Sequence, residues 1–94
     1  MKMPLSLSLL TSVLIACQPV PTEPPLPLLA GYRDAADQCV RVGENDFTNQ
    51  FLDDSADLVG CPEQYEGLGL FQFETSAVQV GVAQGYILFS VKRG

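Results

Sequence analysis

The chain of 94 residues contains no histidine and no tryptophan, and only five of its residues are lysine or arginine. Without histidine it lacks the commonest general base and the commonest zinc ligand. A serine nucleophile would therefore lack the histidine that usually activates it. Eleven acidic residues bring the net charge to −6, which argues against nucleic acid because phosphate binding needs clustered Lys and Arg. We therefore predict a non-catalytic protein that uses no cofactor.

The first sixteen residues have the pattern of an export signal. Lys2 is followed by an uncharged run, "PLSLSLLTSVLIA" at positions 4–16. This run is too short for a transmembrane helix, which needs about twenty residues, and it matches the apolar region of a signal peptide. Ala16 stands where a signal peptidase would cut, so residues 1–16 are predicted to be a signal peptide.

Cys17 ends the sequence "LIAC", and this stretch resembles the lipobox of bacterial lipoproteins. The resemblance covers residues 1–18 only and implies that Cys17 carries a thioether-linked diacylglyceryl group and becomes the first mature residue. Two or three acyl chains on one residue would anchor the chain firmly, since each buried methylene contributes about 0.8 kcal/mol. By the same resemblance, Gln18 favours the outer over the inner membrane of the cell envelope.

A proline-rich tether is predicted to follow at residues 17–30, because positions 18–30 hold five of the seven prolines. Such a stretch favours an extended polyproline II conformation and would reach roughly 40 Å. We predict that it is a stiff spacer; the alternative is that it is a ligand for an aromatic groove of another protein. Its last part, "LPLLA" at 26–30, is apolar enough to dock against a domain.

Residues 31–94 are then left as a small periplasmic or surface domain that needs a covalent link for stability. With Cys17 acylated, Cys39 and Cys61 are the remaining pair, and a disulfide between them would contribute roughly 3 to 4 kcal/mol. A redox role is the alternative, although redox pairs are usually closer in sequence.

The predicted fold class is α+β, with a short helical N-terminal half and a C-terminal three-stranded antiparallel meander. A helical turn is expected before Cys39 and a short helix near 46–52, capped by Asp46, whereas Gly60 and Pro62 are expected to break regular structure. The meander strands are predicted at 69–74, 78–82 and 86–91, with turns at 75–76 and 84–85.

The densest acidic patch is "DDSAD" at 53–57. Asp53, Ser55 and Asp57 alternate as oxygen ligands do at the start of a calcium loop. The template then fails, because Leu58 stands in place of the turn glycine and Gln64 in place of the closing glutamate. A solvated acidic loop is therefore predicted rather than a metal site, with these three residues as the candidates if an ion binds.

These features together predict a lipid-anchored envelope protein, held in the membrane through Cys17, that binds an envelope protein partner through the second face or edge strand of its sheet. Two alternatives remain open from the sequence. One is a tethered ligand-binding or ion-binding domain that uses the Asp-rich loop, and the other is an inhibitor of an envelope hydrolase.

Overall fold

The computed structural model describes residues 24–94, which form a five-stranded antiparallel sheet. The strands are β1 (Leu28–Gly31), β2 (Val40–Val42), β3 (Ala56–Pro62), β4 (Val78–Ala83) and β5 (Tyr86–Lys92). A short 3-10 helix, Thr48–Phe51, precedes β3, and an α-helix, α1 (Leu68–Thr75), connects β3 to β4. The order across the sheet is β1-β2-β3-β5-β4, so β3 and β5 are central and β1 and β4 are the edge strands.

The predicted α+β class with a helical N-terminal half is wrong, because the domain is mostly β. Its central strand β3 runs through Gly60, where regular structure was expected to break. The strand packs closely there: a Cβ at Gly60 would lie 3.2 Å from Val42 Cγ2 and 3.3 Å from the Tyr86 ring, so both side chains would have to shift slightly. Pro62 ends the strand opposite Tyr86. The short apolar run at 58–61 is that of a strand buried on both faces.

The strand predicted at 69–74 is instead helix α1, so the three-stranded meander is also wrong. Phe71 is fully buried and packs on Phe89, with ring centroids 5.4 Å apart, while its neighbours in sequence point outward. Leu68, three residues earlier, packs against the same cluster, as one face of a helix requires. The helix ends at Ser76, whose left-handed backbone (φ 58°) closes a capping bond to the carbonyl of Gln72.

Neither of the other helix predictions gives an α-helix. Residues before Cys39 form bends and a turn, closed by a bond from the Asp37 N–H to the Asp34 carbonyl. The region predicted as a helix near 46–52 contains only the 3-10 turn. Asn45 rather than Asp46 starts that turn: its Oδ1 accepts from the Thr48 N–H at 2.8 Å, and Thr48 Oγ1 accepts from the Asn45 N–H at 2.8 Å.

The strands predicted at 78–82 and 86–91 are present as β4 and β5, joined by the predicted tight turn. Gln84 and Gly85 both have positive φ, 55° and 85°. Positive φ at both central residues is the signature of the turn that matches the twist of a hairpin. Local turn chemistry therefore specifies this part of the fold.

Both faces of the sheet are covered, each by a different part of the chain. The helix face, covered by α1, carries a buried cluster of Cys39, Val59, Cys61, Phe71, Phe89 and Val91. The opposite face carries a second cluster of Leu26, Val42, Leu58, Ala83 and Leu88, against which the aromatic rings of the 3-10 turn region pack. Because both faces are buried, side chains on the central strands are apolar in almost every position.

Residues 24–27, which we call the strap, cross this second face and lie within the stretch assigned to the tether. Leu26 is buried, and its N–H donates to Gln84 Oε1 at 3.0 Å. Gln84 Nε2 in turn donates to the Pro24 carbonyl at 2.9 Å. The strap then turns into β1, which pairs with β2 on the far side of the sheet. The predicted docking of "LPLLA" thus takes the form of a buried leucine followed by an edge strand.

Candidate functional site

The predicted lipidation site, Cys17, lies outside the described residues. The other two cysteines form the predicted disulfide, Cys39–Cys61. Both are fully buried in the helix-face cluster, beside Phe71 and Phe89. A disulfide at the centre of the core indicates that the domain resides in an oxidising compartment outside the cytoplasm.

The residues of the candidate ion loop are engaged with other protein groups. Asp53 Oδ1 accepts from both the N–H (2.8 Å) and the hydroxyl (2.9 Å) of Ser55, and these bonds lower the pKa of the Asp53 carboxyl. Asp57 is turned toward arginines instead. Within residues 24–94 no group of three or more His, Cys, Asp or Glu side chains is arranged to hold a metal ion.

Asp57 is the centre of a charged network that joins three distant parts of the chain. Its Oδ1 lies 2.8 Å from Arg93 Nη1 and 3.2 Å from Arg41 Nη1, and the Tyr32 hydroxyl donates to its Oδ2 at 2.8 Å. Burial acts to raise the pKa of Asp57, but the hydrogen bonds from Arg93, Tyr32 and Arg41 outweigh it and the pKa is lowered. Burial and the bond to Asp57 raise the pKa of Tyr32. The carboxylate is therefore held in its charged form by structural partners.

A second charged cluster lines a shallow cavity of about 420 Å³ between the 32–39 loop and α1. Asp37 accepts a two-pronged interaction from Arg33, at 2.7 Å from Nε and 2.9 Å from Nη2, and also accepts from the Cys39 N–H. The same guanidinium reaches Glu74 (3.1 Å) and the Tyr65 hydroxyl (3.1 Å).

Arg33 pairs with two of the three carboxylates in this cavity, Asp37 and Glu74, and Asp34 accepts from the Ala36 N–H. The bonds from Arg33 lower the pKa of Asp37 to about 2, and those carboxylate bonds raise the pKa of Arg33. Four of the five N–H groups of the guanidinium take part in the bonds described above. Through Glu74, these bonds fasten the 32–39 loop to α1.

Exposed apolar side chains are confined to the edges of the sheet and to α1. In residues 24–94 the exposed large hydrophobic side chains are Leu28, Leu29, Leu70, Phe73, Val78, Val80 and Val82. Five of them fall within residues 70–82, which we call the apolar segment. It comprises residues 70–75 of α1 and residues 78–82 of β4. Phe73 is 83% exposed, more than any of the others.

The apolar segment is also nearly uncharged. From residue 67 to residue 91 the only charged residue is Glu74, although the whole chain has sixteen. The sequence pattern indicated that this region is apolar but assigned Phe71 and Phe73 to a strand at 69–74. The signal that identifies the helix is the three-residue spacing of Leu68 and Phe71 followed by Thr75, whose hydroxyl donates to the Phe71 carbonyl at 2.7 Å.

Comparison with protein-family models, with curated proteins and with solved structures finds no match to this chain. In the part of the chain that the structure describes, no helix is both long and apolar enough to span a membrane. The assignment of function therefore depends on the apolar segment, the disulfide and the N-terminal sequence.

Proposed function

We propose that the protein is a lipid-anchored, non-catalytic interaction module of the bacterial cell envelope, which binds a protein partner through its apolar segment. The observation that carries this proposal is the exposure of five large apolar side chains within residues 70–82. Large apolar side chains exposed close together in sequence are typical of segments that bind a partner, and aromatic residues contribute strongly to such binding. The near absence of charge in the same segment favours an apolar partner surface over a charged ligand.

The state of the charged residues supports a binding role rather than a catalytic one. Asp37 and Asp57, the carboxylates with the most protein partners, are each held by arginine and carry lowered pKa values. A general acid or base at neutral pH needs a pKa moved toward 7, and these shifts run the other way. No observation favours ion binding by the Asp53–Asp57 loop or the inhibition of a hydrolase, so neither alternative is proposed.

The anchor belongs to the proposal as well. Since Cys39 and Cys61 pair with each other, Cys17 is left without an intramolecular partner, as the lipobox reading requires. Acylation at Cys17 would hold the module on the membrane, with Gln18 favouring the outer membrane. A free module of the same sequence would have to find its partner by diffusion in three dimensions, whereas the anchored one is concentrated in the partner's layer.

The anchor is tested by fractionating cells that express the Cys17→Ala variant. We expect the variant to move from the membrane fraction to the soluble fraction, while Thr22→Ala, a change in the same proline-rich stretch, stays membrane-bound. A Cys17→Ala protein that is still processed and membrane-bound would overturn the lipoprotein assignment.

The binding surface is tested by in-cell crosslinking with a photoreactive residue at position 73, followed by identification of the attached protein. We expect capture of a defined envelope protein and loss of that product when Leu70→Ser is added. Gln72→Ser, an exposed change on the same helix, is the matched control and should leave the product unchanged. Failure of position 73 to crosslink any protein would contradict the proposed surface.

A further inference from the structure

The outer edge of β4 lacks a partner strand among residues 24–94. β4 is last in the sheet order and pairs with β5 alone. Its sequence, "VQVGVA", has neither a charged residue nor a proline. Val78 and Val82 are 62% and 54% exposed. Such an edge presents unpaired N–H and C=O groups, together with apolar side chains on both faces of the strand.

The two edges of the sheet differ in how they are protected against pairing. β1 has only four residues, contains Gly31 and follows Pro27, and these features shorten and blunt its edge. β4 has six residues, and its sole irregularity is a register shift between Gln79 and Gly81. Neither strand contains a charged residue, so the longer edge, β4, is the one suited to strand addition.

The charge distribution indicates which strand fits this edge. The whole chain carries a net charge of −6, yet no charged residue occurs between positions 75 and 91. Two copies brought together at β4 would therefore bring no like charges face to face on the paired strands. An uncharged edge offers nothing to select a charged peptide, whereas a second β4 is equally uncharged and apolar.

The position of the strap makes the same pairing compatible with two lipid anchors. Antiparallel pairing of identical edge strands requires a twofold axis perpendicular to the sheet, so both copies present the same face on the same side. The strap begins at Pro24, beside Gln84. The straps of the two copies would therefore lie on the same side of the combined sheet. The chain from Cys17 to Pro24 spans at most about 25 Å, so both anchors can enter one bilayer.

We propose that two copies of this protein pair antiparallel through their β4 edges and form a continuous ten-stranded sheet on the membrane. The part of the argument that concerns the anchors rests on the proposed function. Confinement of both copies to one thin layer raises their effective concentration and favours pairing. The helix faces of the dimer would lie on the side opposite the straps and leave Leu70 and Phe73 available to another protein.

The test uses the full-length chain in cells, with a photoreactive amino acid replacing Val82. We expect a covalent product of twice the monomer mass, which mass spectrometry identifies as two copies of this chain. The same group replacing Leu29, on the β1 edge, is the matched control and should give no such product. Adding Val80→Lys should reduce the dimer product about tenfold, because it places like charges at the paired edge.

Each outcome decides the inference. Only monomer, or a product with a protein of another mass, at position 82 would overturn the β4 dimer, as would an equal yield from position 29. Near-ultraviolet circular dichroism of the purified Val80→Lys chain establishes that it is folded, so that loss of the dimer reports on pairing. Capture of another protein through position 73 with only monomer at position 82 would leave the proposed function standing while the dimer fails.

Discussion

Gln84 and Leu26 are 58 residues apart in sequence, and the N–H of Leu26 donates to the side-chain oxygen of Gln84 at 3.0 Å. The other end of the same amide donates to the Pro24 carbonyl at 2.9 Å. One side chain at a hairpin turn thus satisfies both a donor and an acceptor of the strap. This contact makes the end of a proline-rich stretch part of the folded domain.

Replacing Gln84 with alanine should release the strap. Loss of the two hydrogen bonds is expected to lower the free energy of unfolding by about 1 to 2 kcal/mol. Urea denaturation measures the change, and protease digestion near residue 25 should become faster. Gln79→Ala, an exposed change in the same hairpin, is the control and should have little effect. Equal stability of the two variants would show that the amide does not hold the strap.

Leu26→Ala should destabilise the domain more strongly, because Leu26 is buried among Val42, Leu58 and Leu88. A leucine-to-alanine change at a buried site costs about 2 to 5 kcal/mol. Leu29→Ala removes the same atoms from a residue that is 54% exposed and should cost far less. Thermal unfolding of the two variants side by side measures the difference. If Leu26→Ala were as mild as Leu29→Ala, the strap would contribute nothing to the core.

Stability should fall in acid through Asp37, whose side chain is only 2% exposed. Its pKa in the folded state is lowered to about 2, below the value of 3.8 in a free chain. The folded state therefore binds fewer protons, and the contribution of Asp37 is complete above about pH 4 and lost as the pH falls toward 2. That contribution is on the order of 2 kcal/mol.

Denaturation curves collected from pH 7 to pH 2 test the role of Asp37. Asp37→Asn should be less stable than the wild type at pH 7, and the difference should shrink as the pH approaches 2. Asp34→Asn, a change in the same loop, serves as the control. A difference between Asp37→Asn and wild type that is independent of pH would contradict the lowered pKa.

Two glycine-to-alanine changes should act in opposite directions. A Cβ at Gly31 would lie 2.1 Å from the Asp34 carbonyl oxygen, so Gly31→Ala must displace the backbone of the loop and is expected to destabilise the domain. At Gly69, in α1, a Cβ meets nothing within 4 Å. Gly69→Ala should stabilise the domain by up to about 1 kcal/mol, through helix propensity. Melting temperatures that move in the same direction for both variants would contradict these environments.

The sequence predicted the features that short segments or simple counts determine. The Gln84–Gly85 turn and its two strands follow from local turn chemistry, and the pairing of Cys39 with Cys61 follows from setting Cys17 aside. Helix α1 was missed, because the three-residue spacing of Leu68 and Phe71 is a weaker local signal than the alternation around it. Aromatic residues alternate there as in a strand, and the burial of Phe71 against Phe89 selects the helix.

The same limit applies to the candidate site. Asp57 resembles a calcium ligand when read with Asp53 and Ser55, because the pattern of a short loop is all that the sequence displays. In the structure Arg41 from β2 and Arg93, just after β5, reach the same carboxylate oxygen. Strand pairing brings Arg93 to Asp57 although the two residues are 36 positions apart in sequence. A local sequence pattern contains no information about a partner that far away.

On the export route of the proposed function, the strap would delay folding of the domain. Leu26 is among the first residues of the domain to leave a secretion channel, and Gln84, which holds it, is among the last. Pairing of the two central strands would be delayed in the same way, because β3 pairs with β5, and β5 ends at Lys92. On the proposed route of export, the pairing of β3 with β5 would form only after nearly the whole chain has crossed the membrane. Disulfide formation would then take place on the far side.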